Sequence, residues 1–249
     1  LLRAHVSFVG DVLSGAATTP TSLVLDQAAA LREMLNLRGW SHHLAGEHVE
    51  FDLEVPVVTC GGYADVRLRG DMLTLTKEAP GAHSSANFTL QTGGPLGGLG
   101  PASPSLGWLE VEVGGLGGPR VVQTRLDSSP AAGLQAAQAA EVALSAGPGV
   151  LVGDFSSIPG SPAYNVFAGL TYEDAWTSLG SGDGATCCQA EDLMNTTSSL
   201  SERMDWALSN DVLWAARAAR VIGERTADRS VSGRWTSTHA GLMSRWGTP

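Results

Sequence analysis

Lysine is almost missing from this chain: of its fifteen basic residues fourteen are arginine, and Lys77 is the single lysine. Against twenty-five acidic residues this gives a formal charge of −10, so a nucleic-acid duplex or an anionic lipid surface meets net repulsion and extended nucleic-acid contact is disfavoured. Long apolar runs are missing too. No stretch approaches the roughly eighteen residues needed to cross a bilayer, and the first thirty residues show no basic start followed by an apolar block, so no membrane insertion is expected. Cysteine is scarce, with Cys60 and the adjacent pair Cys187-Cys188 only. Three cysteines build no disulfide framework, and without a C-x-x-C spacing they suggest no zinc site.

What is present suits one large globular domain over residues 1–249, with 43% apolar side chains and many glycines. Residues 21–39, "TSLVLDQAAALREMLNLRG", space Leu23, Leu31, Met34 and Leu35 at helical intervals and close on Gly39, which predicts a helix. "EHVEFDLEVPVV" and "YADVRLRGDMLTLT" alternate apolar and polar residues and predict strands, the second folded about a turn at Arg69-Gly70-Asp71. "SANFTLQT", "GWLEVEV" and "RVVQTRLD" continue the strand pattern between glycine-rich loops at 93–107 and 114–118 that lack any phosphate-cradle spacing. A helix over 130–146 and strands over 149–154, 203–209 and 239–246 follow. The sum is an α/β (α+β) sandwich. Arginines concentrated in residues 214–249 read as a solvated face, the scattered tryptophans as core, and His42, His43, Glu47 and His48 as a polar helix-to-strand loop more than a metal site.

One short stretch concentrates chemistry. In "VLVGDFSSIPGSPAY" an apolar run ends in Gly153-Asp154, and Pro162 opens a short helix, so a carboxylate lies at the carboxyl end of a strand, where α/β sheets place ligands. Together with "LSERMDWALS" and "GRWTSTHAGL", this fragment resembles the endonuclease/exonuclease/phosphatase superfamily, the metal-dependent phosphodiesterase fold of DNase-I-like nucleases and neutral sphingomyelinases. Its Gly-Asp-x-Asn, Arg-Ile-Asp-Tyr-like and Ser-Asp-His motifs occur in the same order, and "RVVQTRLDSSPAAGLQAAQAAEV" is similar to the strand carrying Thr-His-Leu and the helix behind it. The resemblance spans roughly residues 20 to 245. It implies a DNase-I-like four-layer sandwich, two packed mixed sheets flanked by helices.

Carried over by position, the resemblance makes Asp154, His239 and Asp205 the catalytic residues and Arg125 and Arg203 the substrate-binding ones. Ser156 stands where the motif has Asn, Thr238 where it has the Asp before the histidine, and Arg125 where Thr-His-Leu has its histidine. The strands that would bear a metal-holding Asn and Glu have no counterpart in this sequence, so the resemblance implies an amino-terminally incomplete domain. These replacements imply a catalytically inactive domain, with no metal and no cofactor, acting as a binding or structural subunit beside other protein subunits. Two alternatives stay open: an active Mg²⁺-dependent phosphodiester or phosphomonoester hydrolase, and a non-hydrolytic binder of a phosphorylated small molecule.

Overall fold

The computed structural model describes residues 2–8, 22–59, 62–92, 105–114, 117–129 and 131–249. The chain divides into two compact units, Leu1–Asn87 with Gln91–Gly118, and Phe88–Leu90 with Pro119–Pro249.

The first unit is built on a long antiparallel ladder. Strand β3 (His43–Thr59) pairs with β4 (Gly62–Thr76) from His43↔Thr76 to Thr59↔Gly62, β1 (Leu2–Phe8) adds to the other edge of β4, and β2 (Ser22–Asp26) to β1. β5 (Pro80–Asn87) and β6 (Gly107–Val113) form a second antiparallel pair. Ala45, Met72, Leu109 and Val111 pack together as this unit's buried apolar cluster.

Several expectations are corrected here. The helix does not begin near residue 21: Ser22–Asp26 pairs as β2, and helix α1 (Gln27–Leu37) starts where the Asp26 carboxylate accepts the Ala29 N–H at 2.8 Å, a cap that offsets one orphan donor of the first turn. Arg69-Gly70-Asp71 is no turn. It lies inside β4 opposite Phe51 and Asp52, and Gly70 is small because a Cβ there would overlap the Phe51 ring. The strand in "SANFTLQT" ends at Asn87, and Phe88 turns into the core at 3% exposure. His43, Glu47 and His48 belong to β3 rather than a loop; His48 is buried with Nε2 at 2.8 Å from the Ser105 carbonyl oxygen, and Glu47 pairs with Arg69. The glycine-rich segment 93–104, Gly115-Leu116 and Pro130 lie outside the described residues.

The second unit carries a mixed sheet in the order β7 (Arg120–Arg125), β8 (Val150–Asp154), β10 (Asp205–Ser209), β9 (Glu173–Asp174). β7 and β8 run parallel, so a crossover must join them, and the Ala-rich helix α2 (Ala132–Ser145) supplies it. Helix α3 (Pro162–Gly169) has proline in its first turn and Ser161 as its cap, and α4 (Ala175–Leu179) is capped by Asp174. A separate ribbon pairs β11 (Ala215–Ile222) with β12 (Gly241–Gly247). In β11 Arg217 and Arg220 are exposed, the solvated face expected there, while Ala216 and Ala219 pack inward with Ala175 and Ala207. Trp206, Phe155, Phe167, Leu126, Leu151 and Leu208 are almost wholly buried. Phe155 stacks on Trp206 at 4.3 Å between centroids and meets Phe167 edge-on at 5.5 Å. Trp108, Trp206 and Trp235 are buried as expected of core residues. Among the described residues no helix is long and apolar enough to cross a membrane.

Candidate active site

The site rests on one line of strand register. Arg125 lies opposite Asp154 in the parallel β7–β8 pair, and Asp154 lies opposite Asp205 in the antiparallel β8–β10 pair. Three candidate residues on three adjacent strands are therefore neighbours by backbone pairing alone. Close approach of β8 to β7 requires Gly153, where a Cβ would overlap the Thr124 carbonyl oxygen. Beyond Asp154 the chain is anchored by Phe155, fully buried, with its N–H donated to the Met204 carbonyl at 2.9 Å.

His239 reaches the same line from a different direction. Residues 186–189 lie against 238–240: Ala240 N–H donates to the Thr186 carbonyl at 2.8 Å, and Gln189 N–H to the Thr238 carbonyl at 2.7 Å. The fully buried Thr186 hydroxyl accepts N–H bonds from Met204 at 3.1 Å and Asp205 at 3.0 Å. One threonine thus ties the histidine's segment to the aspartate's strand, a positioning role that sequence reading missed.

In this frame His239 Nδ1 lies 2.8 Å from Asp205 Oδ2. A carboxylate only accepts, so the ring carries its hydrogen on Nδ1 and leaves Nε2 toward Cys188 Sγ, 3.8 Å away. Although Thr238 stands where the motif has an aspartate, the imidazole keeps a carboxylate partner, because Asp205 supplies it from β10. The Asp205 hydrogen bond is the largest influence on His239 and raises its pKa above the ordinary 6.5, against an opposing effect of burial. Asp154 is raised from 3.8, first by burial, then by the neighbouring Asp205 charge, with the Ser156 N–H acting the other way. That N–H donates to Asp154 Oδ1 at 2.9 Å, and Arg125 Nε stands 3.7 Å from Oδ2. One ligand atom from each of Asp154, Asp205 and His239 lies within 4.8 Å of the others.

Ser156 takes a left-handed backbone, φ 45°, a region that asparagine tolerates better than serine. Its hydroxyl is engaged with the Leu126 carbonyl at 3.2 Å and Asp154 Oδ1 at 3.4 Å.

Arg203 does not join this group. It is 6% exposed and its two terminal nitrogens donate to Asp174 at 3.1 and 2.7 Å, the carboxylate that also accepts from the Tyr164 hydroxyl at 2.8 Å and caps α4. For Asp174 burial is the largest influence and pushes its pKa up, but the hydrogen bonds from Arg203 and Tyr164 and the Arg203 charge outweigh it, leaving a net lowering. In place of the expected substrate contact, the structure gives Arg203 an internal ion pair.

No family model and no curated protein matches the sequence. Solved structures do. An endonuclease/exonuclease/phosphatase from Beutenbergia cavernae superposes with a TM-score of 0.54 at 20% identity, over 90% of this chain and 57% of that one. D. rerio TDP2, complexed with a single-strand DNA product, gives 0.53 at 16% identity over 99% of both chains. The human Nocturnin catalytic domain, with a bound sulfate anion, gives 0.50 at 16% over 90% of this chain and 77% of that one. This chain has the endonuclease/exonuclease/phosphatase fold. The fold is the DNase-I-like one of mixed sheets and helices.

Proposed function

We propose that this chain carries the acid–base half of a phosphoester-hydrolysing site. The observation that supports it most is the His239–Asp205 pair beside Asp154. An imidazole held by a carboxylate on one nitrogen, with only a cysteine sulfur 3.8 Å from the other, is a proton donor of fixed direction, and its raised pKa keeps it charged nearer neutral pH. Nε2–H then hydrogen-bonds a phosphoryl oxygen as negative charge builds there. Asp154, more basic than an ordinary aspartate, accepts a proton from the attacking water. Arg125, a guanidinium where the related motif has histidine, adds positive charge beside the phosphate. The single-strand DNA product bound to D. rerio TDP2, which carries phosphate groups, and the sulfate bound to Nocturnin support a ligand of this class.

The donor set fits Mg²⁺ of the kind held through one or two carboxylates plus water and substrate oxygens. Asp154 and Asp205 would hold it, and a cation there would offset the Asp205 charge that, after burial, raises Asp154, so that with the metal bound Asp154 would orient the attacking water instead of taking its proton. Bound there, it supplies Lewis-acid stabilisation of a phosphoryl oxygen.

The test is cleavage of nitrophenyl phosphodiesters and phosphomonoesters with Mg²⁺ or Mn²⁺ present. Asp154→Ala and His239→Gln should each reduce turnover about 10²–10⁴-fold, the usual contribution of a positioned acid or base. Turnover that survives both substitutions belongs to a contaminant and ends the proposal. A second reading, binding of a phosphorylated ligand without turnover, is favoured by Ser156, whose hydroxyl is turned onto Leu126 and Asp154; phosphate binding without hydrolysis selects it.

A further inference from the structure

Cys187 and Cys188 sit on the opposite nitrogen of His239 from Asp205. Cys188 Sγ is 3.8 Å from His239 Nε2, and one donor atom from each of Cys187, Cys188 and His239 lies within 4.8 Å of the others. The arrangement is built rather than incidental. Cys187 pairs through its backbone with both Glu202 and His239, its N–H donates to the Glu202 carbonyl at 2.9 Å, and its side chain is 2% exposed, while Cys188 is exposed. The two sulfurs are joined in a disulfide.

We propose that the reduced pair, with His239 Nε2, forms a three-donor site for a thiophilic divalent cation of the zinc class. A tetrahedral Zn²⁺ with Zn–S of about 2.3 Å and Zn–N of about 2.0 Å sets sulfur and nitrogen donors roughly 3.5 Å apart, and the Cys188–His239 separation of 3.8 Å needs only a small approach to reach it. The tautomer is the right one. Asp205 fixes the hydrogen on Nδ1 and leaves the Nε2 lone pair for the metal, the carboxylate–histidine–metal relay that orients ligating histidines. Two sulfurs and an imidazole select soft cations over Mg²⁺, so this site and the carboxylate pair differ in the ions they take. Assembly has two balanced steps. An external dithiol breaks the sulfur–sulfur bond, delivering two electrons and two protons and closing to its own disulfide; the cation then displaces both thiol protons into solvent. Water completes the coordination. Because the cation occupies Nε2, it removes the proton donor of the proposed hydrolytic site, so zinc and phosphoester turnover oppose each other through one atom.

The experiment uses a Cys60→Ser chain, so that the pair are the only thiols, reduced with a dithiol, freed of it anaerobically and titrated with Cd²⁺. The expected result is thiolate-to-cadmium absorption saturating at one ion per chain. It should be absent in the oxidised protein and in Cys188→Ser, and Asp205→Asn should weaken affinity about 10–100-fold, as loss of such a supporting partner does. Reduced protein that gives no such absorption, or His239→Gln that binds as tightly as its parent, overturns the site. A second measurement needs no substitution at the pair: Zn²⁺ should slow iodoacetamide alkylation of Cys188 in the reduced chain, read by intact mass, and an unchanged rate overturns the proposal equally. Neither readout depends on hydrolysis, so an inactive protein leaves this inference intact, and an active one that binds no soft metal leaves the hydrolytic proposal intact.

Discussion

Replacing Arg203 with methionine separates the two roles that sequence and structure give it. Methionine fills a similar volume without charge, so the change leaves the Asp174 carboxylate, buried at 6% exposure, without its cation. Asp174 keeps the Tyr164 hydroxyl at 2.8 Å, the Thr177 hydroxyl at 2.9 Å and the Trp176 N–H at 2.9 Å, but loses both guanidinium contacts. Breaking a buried ion pair by removing one partner typically costs about 3–5 kcal/mol, because the remaining charge is left in a poor solvent. For a chain of this size that is a fall in Tm of roughly 6–20 °C. Removing the orphaned charge as well, in Arg203→Met/Asp174→Asn, should recover much of the loss, since the penalty lies in the unpaired ion and not in the missing pair. Urea unfolding of the parent, both singles and the double, followed by tryptophan fluorescence, gives the full cycle. The reasoning is refuted if Arg203→Met unfolds within about 1 kcal/mol of the parent while phosphoester binding weakens strongly, for that would return Arg203 to the substrate.

Two further predictions concern His239 and Ser156. His239 has its folded pKa raised above 6.5, so the stability it contributes is fully present below pH 6.5 and is lost as pH rises through the folded value; the stability difference between the parent and His239→Gln, measured by urea unfolding across pH 5 to 9, should shrink over that window, and a flat difference would show that Asp205 does not hold the charged imidazole. Asp154, also raised, acts in the same direction at lower pH from 3.8 upward, whereas lowered Asp174 acts oppositely, so only the difference between variants isolates the histidine. Ser156→Asn should raise stability by about 1 kcal/mol, since asparagine enters the left-handed region with less strain; a clear loss in Tm would mean that the Ser156 hydroxyl bond to Leu126 outweighs backbone strain.

The pattern "VLVGDF" was legible because every feature in it is local: apolar residues that must be buried, a glycine that permits close strand approach and an aspartate left at the strand's end. "RMDW" was legible as a strand for the same reason, yet the role of its arginine was not. Whether Arg203 faces a cleft or a buried acid depends on Asp174, twenty-nine positions earlier, and no local pattern carries that pairing. The Arg-Gly-Asp triplet misled for a related reason. Glycine between charged residues ordinarily marks a turn, but here it makes room for the ring of Phe51 across the ladder. β11 shows no period-two alternation, since "AARAARVI" repeats every three residues and its register shifts between Ala216 and Ala218, so pairing with β12 had to decide it. At the front of α1, Ser22–Asp26 fits a helix by spacing and a strand by pairing, and β1 prevails.

The same contrast explains why the motif differences at the site weigh unequally. Positional comparison treats each residue of a motif as the owner of one role, so threonine at 238 reads as a lost partner for the neighbouring histidine. Geometry assigns partners by proximity, and residue 238 turns its carbonyl to Gln189 while the imidazole meets Asp205 from another strand. Arg125, Asp154 and Asp205 are held by backbone register, which side-chain replacement barely disturbs. His239 is held instead by the short segment 186–189, through Thr186 and Cys187. The acid–base pair therefore depends less on the residue beside the histidine than on a segment fifty positions away, and that segment places two sulfurs against the histidine's open nitrogen.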